Sequence, residues 1–423
     1  MIWVFLGVLF LFLFAGVPVA AAMLVAASVV LASLGLFDTQ VLAENITNGA
    51  NNFALMAIPF FILTGEIMNA GGVSRRIVDF ASSLVGHIRG GLGYVTVITG
   101  IIFAGISGSA VADTAALGAI LIPMMVAKGY KKDKATALVG STGIIGTVIP
   151  PSIPMILFGV ISGVSVTGLF MSGIVPGLIM GIGLMVLWRI TTSREHMEAM
   201  PKASRSERLS AFKSSFWALL LPMIIIVGLR GGVFTPTEAG VVAAVYAFII
   251  SLFYRELTFP KLIDVLISTA KTTGVVLFLA AAAMVSAYAI TIAQIPQELS
   301  QTLMGLTTNP TIMMLLIMAF LFLVGCVMDM TPAILIFAPV LLPVVNGLGI
   351  DPIYFGVVMV INLSVGLITP PIGTVLYVAC GISKLSIVQL SKAIWPYFTF
   401  YFGLLLLMAL FPQIITVPGS LLR

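Results

Sequence analysis

From Ala135 to Trp188 the chain carries no Asp, Glu, Lys or Arg, and Pro352 to Ser383 is equally bare. A soluble core can hide a short apolar run as a buried strand or helix, but it cannot absorb many long ones in series. Runs of this kind read as membrane spans of about 20 residues each. Composition agrees, because the chain is 60% hydrophobic and only 8% charged, whereas soluble domains run near a quarter charged. The sequence predicts an all-α polytopic membrane protein. The first residues, MIWVFLGVLF, lack a basic n-region and a small-residue cleavage site, so they read as an uncleaved span. The net charge of +5 is spread over loops and forms no stripe for nucleic acid. Cys326 and Cys380 are too few for a disulfide framework and read as packing residues.

The chain also repeats itself. With an ungapped offset of 220, Gly105 falls on Gly325, Pro123 on Pro343, Gly129 on Gly349, Gly146 on Gly366, and Pro150 and Pro151 on Pro370 and Pro371. Chance would supply about one such match, given how common these residues are. Glycine and proline fix backbone shape, so geometry is what repeats.

Basic residues orient the spans. Spans at 2–15 and 17–36 meet at Ala15-Gly16-Val17-Pro18, and a loop from Asp38 to Asn52 without Lys or Arg follows. A span at 53–70, broken or kinked near Pro59, leads to an amphipathic segment with Arg75, Arg76 and Arg89 that belongs at the cytoplasmic face. Residues 90–127 are apolar and basic on both flanks, with Lys128, Lys131, Lys132 and Lys134 after them. If both flanks are cytoplasmic, the stretch enters and returns, and Ile106-Ser107-Gly108-Ser109 suits the tip of a re-entrant hairpin. Residues 135–165 then cross outward with a break from Gly143 to Pro154, and a span at 172–190 returns to a basic loop bearing Arg194, Lys202, Arg205, Arg208 and Lys213. Spans at 214–229 and 238–254 pair. Residues 255–271 read as an interfacial helix capped by Thr258, and 272–293 as a separate span. The second hairpin, 311–345, is flanked by segments without Lys or Arg, so it opens from the other side. Residues 353–380 run inward, broken from Gly366 to Gly373, and 394–412 go back out. Charge bias and offset together predict an inverted-topology repeat with two re-entrant helical hairpins and two broken transmembrane helices, the architecture of a secondary transporter with a midplane site.

A broken helix frees backbone carbonyls and N–H groups that can hold an ion or a carboxylate. The cation-binding candidates are Ser107, Gly108, Ser109, Gly146 and Pro150 in the first copy, and Asp329, Thr331, Gly366, Thr369 and Thr374 in the second. Sodium wants about five or six hard oxygens, which carbonyls, hydroxyls and one carboxylate can supply. Ser109, Pro151, Thr331 and Pro371 are the substrate-binding candidates. Asp113 and Glu66 also stand in apolar runs, where a carboxylate is costly unless paired, ion-bound or wetted, but the sequence assigns neither a role. Gly105-Ile106-Ser107-Gly108 matches the GxSG of intramembrane serine proteases. That chemistry needs a histidine base, and His87 and His196 both lie in basic segments outside the spans. No catalytic residues are assigned, and no GxxxxGK[ST] nucleotide loop or Cys/His metal cluster is present.

Taken together, Ala57-Ile58-Pro59-Phe60-Phe61, Phe103 to Ser109, the double proline closing Gly146 to Pro151, and Gly366 to Gly373 resemble the large membrane subunit of a tripartite ATP-independent periplasmic (TRAP) transporter, over essentially the whole chain. The resemblance implies an elevator mechanism, in which 91–190 and 311–412 move against a scaffold of 1–72 and 214–293, with 74–89 and 294–309 as arms. The corresponding division is 1–90 scaffold and arm, 91–190 transport domain, 191–213 cytoplasmic basic loop, 214–310 scaffold and arm, and 311–423 transport domain. It also implies coupling to two or more sodium ions and no organic cofactor. The substrate would be an organic acid such as a sialic acid, a C4-dicarboxylate or a sugar acid. A periplasmic substrate-binding protein would deliver it, a separate small membrane subunit of about four spans would brace the scaffold, and the setting would be the bacterial inner membrane. The tip reads SGS, where related dicarboxylate carriers have an SNT-like tip. A stand-alone sodium-coupled dicarboxylate carrier of the same superfamily and an intramembrane hydrolase remain as alternative readings.

Overall fold

A computed structural model describes residues 1–193, 197–370 and 373–422. Arg194, His196 and Pro371, each named above, lie outside the described residues. Among the described residues the regular elements are all helices, and nine of these are long and apolar enough to cross a membrane. Their outward faces carry bare large apolar side chains, with Phe253 79% and Phe259 74% exposed, as a lipid-facing surface requires.

Two groups of helices are built from both copies. In the first, Phe259–Ile292 packs along Val19–Ser33, Thr39–Ala50 and Ala57–Ala70, and Ala57–Ala70 packs closely on Pro236–Phe253. The second holds the two hairpins and the two interrupted helices. Hairpin 1 is Gly91–Ser107 and Ala110–Ala127; hairpin 2 is Pro310–Val327 and Met330–Gly347. Broken helix 1 runs as Lys132–Gly143, a 3-10 turn Ile144–Thr147, then Ile153–Ser162; broken helix 2 runs as Pro352–Gly366, then Thr374–Ser383. The second half of each broken helix packs against the other copy's hairpin. Ile153–Ser162 lies on Met330–Gly347, and Thr374–Ser383 lies on Ala110–Ala127.

This interleaving explains the charge-free runs. Every residue from 135 to 159 and from 354 to 369 is buried, so these segments face protein on all sides. Helices that are apolar all round belong in such a core, and irregular backbone at membrane depth is stable only with such shielding. The freed groups at the breaks find local partners: Ser152 Oγ donates to Thr147 O, and Val375 N–H donates to Leu367 O at 3.2 Å.

Several boundaries differ from the sequence expectation. Asp38 to Asn52 is no loop: Asp38 accepts from Gln40 N–H at 2.7 Å and caps the helix Thr39–Ala50. The helix around Pro59 is unbroken, because it starts at Ala57 and its first turn needs no N–H there. Residues 259–292 form one helix where an interfacial segment and a separate span are expected. Arg205, Arg208 and Lys213 belong to the helix Arg205–Arg230, which a Ser204–Glu207 capping box starts inside the expected basic loop. A last helix, Gln413–Leu422, packs on Val166–Thr192 and has no counterpart in the sequence reading.

Candidate functional site

Hairpin 1 turns at Gly108, whose φ of 66° is left-handed and suits glycine. Ser109 then caps Ala110–Ala127, its hydroxyl accepting from Ala112 N–H at 3.4 Å. The tip docks onto the first break, where Ile153 N–H donates to Gly108 O at 3.4 Å. A Cβ on Gly108 would strike Pro151 O, so the contact is backbone on backbone. Behind the tip, Ser107 Oγ accepts from Ser109 N–H at 3.2 Å and donates to Asp113 Oδ1. Asp113 is 1% exposed, and its second oxygen, Oδ2, is buried without a partner. That oxygen occupies the space a Cβ on Gly146 would need. The fold therefore brings Ser107, Gly108, Ser109 and Gly146 together with Asp113, and Pro150 and Pro151 close the same junction.

The second copy is assembled differently. Hairpin 2 turns through Met328 and Asp329, and Asp329 is exposed at the start of Met330–Gly347. Thr374 Oγ1 donates to Asp329 Oδ1 at 3.3 Å, which joins tip and break. Gly366 lies against Gly325, so that a Cβ on Gly366 would come within 2.6 Å of the Gly325 backbone. Thr369 Oγ1 donates to Val365 O at 2.7 Å inside the break, and Thr331 stands half-buried in the first turn after the tip. The two breaks meet through a pair of buried hydroxyls, Thr147 Oγ1 and Ser364 Oγ, 2.6 Å apart. Neither residue stands out in the sequence.

A cavity of about 360 Å³ opens between the tip of hairpin 1 and the other helix group. Ser107 and Ser109 line it on one side; Glu66, Asn69 and Thr272 line it on the other. Glu66 Oε1 accepts from Ser268 Oγ at 3.0 Å. Chemically, the first junction offers hydroxyl oxygens beside a buried carboxyl whose second oxygen has no partner. That donor set fits a hard monovalent cation better than a transition metal, and no group of three or more His, Cys, Asp or Glu converges among the described residues.

A family model described as "Tripartite ATP-independent periplasmic transporter, DctM component" matches residues 6–414. The chain belongs to that family. A putative TRAP transporter large permease protein of Haemophilus influenzae is 62% identical over 94% of this chain and 99% of its own length. The 2,3-diketo-L-gulonate TRAP transporter large permease protein of Escherichia coli is 50% identical over 98% of both chains. Other relatives are named for sialic acid and for C4-dicarboxylates. Among solved structures, the YdaH transporter of Alcanivorax borkumensis superimposes with a TM-score of 0.65 at 17% identity, over 89% of this chain and 90% of that one. That likeness concerns the fold. The TRAP large permease is thus a multi-pass membrane transporter subunit of an organic-acid transport family.

Proposed function

We propose that this TRAP permease is the membrane path of a sodium-coupled importer of an organic acid in the bacterial inner membrane. A periplasmic binding protein delivers the acid, and a small membrane subunit braces the scaffold. The two hairpins are re-entrant and open from opposite faces. They and the broken helices travel as one body, 91–190 with 311–412, past the scaffold of 1–72 and 214–293, with 74–89 and 294–309 as arms.

One observation carries this reading: Asp113 Oδ2, buried and unpartnered at the junction of hairpin tip and broken helix. An unsatisfied carboxylate oxygen away from water costs several kcal/mol, and a sodium ion held there, with Ser107 and the backbone around Gly146 nearby, removes that cost. Asp329, Thr331, Thr369, Thr374 and the Gly366 backbone form the second cation locus. Ser109 and Pro151, with Thr331 and Pro371 in the other copy, present the acid's carboxylate to the tips. Cation and anion then neutralise each other at membrane depth, which lets both cross together.

Uptake into proteoliposomes containing both membrane subunits tests the reading. An inward sodium gradient and the cognate binding protein should both be required. Ser107→Ala and Asp329→Ala should each raise the sodium concentration for half-maximal uptake. Uptake that is indifferent to sodium, or sodium activation unchanged in both variants, defeats it.

A further inference from the structure

The cavity beside the tip of hairpin 1 has walls from both helix groups, and their chemistry is lopsided. Ser107 and Ser109 come from the hairpin; Glu66 and Asn69 come from Ala57–Ala70, and Thr272 from Phe259–Ile292. Gly65 lets the two walls approach, since a Cβ there would lie 3.2 Å from Ser107 Cβ. Among the described residues lining the cavity, Glu66 is the single ionisable side chain, and no Lys or Arg is present. Asp113, behind Ser107, adds no positive charge. The remaining polar groups are hydroxyls and one amide.

An acid whose carboxylate sits at the Ser109 tip must extend across this cavity toward Asn69, Thr272 and Glu66. Hydroxyls on its chain find donors in Asn69 and Thr272 and acceptors in all three. A second carboxylate finds a fixed carboxylate and no cation. We propose that this cavity selects a monoanionic, hydroxyl-rich acid over a dicarboxylate, and that Glu66 is the residue that rejects the second charge. The inference rests on the organic-acid reading above and narrows it to one substrate class. Two carboxylates across a cavity of this size, in an environment more polarisable than hydrocarbon, repel enough to shift binding by about tenfold or more. The Ser268 hydrogen bond holds the Glu66 carboxyl in place, so this penalty is built into the wall.

Binding to the purified complex of both membrane subunits in sodium buffer, without the binding protein, isolates the cavity's own preference. Gluconate and succinate are the probes, followed by displacement of the melting temperature up to high millimolar concentration. Gluconate should bind at least tenfold more tightly than succinate. Glu66→Gln should shrink that ratio to within about threefold by tightening succinate, and Glu66→Asp should preserve it. Glu66→Lys should invert it, which a loss of folding could not mimic. Equal binding of the two acids by the wild type, no binding of either, or an unchanged ratio in Glu66→Gln overturns the proposal. Failure of the transport reading looks different: sodium-independent uptake in proteoliposomes, whatever the ratio of the two acids.

Discussion

The two copies share a backbone and differ in what they put on it. Gly105 and Gly146 occupy the repeat positions of Gly325 and Gly366, yet only the second pair touch each other. In the first copy a Cβ on Gly105 would meet Pro222 at 2.8 Å, from the helix Arg205–Arg230, and the space beside Gly146 is filled by the Asp113 carboxylate. The repeat counterpart of Asp113 is Ala333, and that of Ser109 is Asp329. The carboxylate has thus moved from a buried position behind one tip to an exposed position on the other. The repeat keeps the glycines at the tips and breaks while the charges differ.

The largest expected effect separates the two acids. With the proposed sodium ion at Asp113, Asp113→Asn should reduce sodium-driven uptake by about 30-fold or more, the cost of removing one partner from a buried charge pair. Asp329→Asn, at an exposed position, should change it by no more than about fivefold. Equal losses in sodium-titrated uptake would erase the distinction between the copies.

The glycines give the next contrast. Gly366→Ala forces backbone apart at Gly325, so it should destabilise the fold by about 1–3 kcal/mol, read as a lower melting temperature in detergent. Gly146→Ala meets the end of a movable side chain. Its melting temperature should barely change while the sodium needed for half-maximal uptake rises. The reverse pattern would mean that the Asp113 carboxylate is locked and the Gly325 contact loose.

The smallest effect tests the link between the copies. Thr147 Oγ1 and Ser364 Oγ are buried partners, while their repeat counterparts, Leu367 and Ile144, are apolar. Thr147→Val should cost about 1 kcal/mol, with Thr147→Ser restoring it in the same thermal melt. No loss in the valine variant would show that the two broken helices are held by apolar packing alone.

The breaks and tips were legible because glycine, proline and missing charge act locally. Gly108 with Ser109, and Pro150 with Pro151, mark irregular backbone where they occur. Polar helices were harder. Thr39–Ala50 reads as a loop because polar residues interrupt its apolar ones and no Lys or Arg marks it, although Asp38 is a good cap. Lys261, Asp264 and Lys271 suggest an interface, but no proline or glycine stands between Lys261 and Thr273, so the helix continues through them. Asp113 escaped assignment for a different reason. Its partnership with Gly146 exists only after the hairpin docks, and the repeat matches it to an alanine. Chemistry that breaks the symmetry is invisible to reasoning that relies on symmetry.

The exchange of half-helices between copies has a consequence for how the chain is made. Translation releases Ala110–Ala127 into the bilayer long before Thr374–Ser383, the segment that covers it, has been synthesised. Ile153–Ser162 likewise waits for Met330–Gly347. The amino-terminal half must therefore persist as an incomplete intermediate, its small polar residues held open until the ribosome has nearly finished, and a nascent chain arrested in the loop before Arg205 should be a ready target for membrane quality-control proteases.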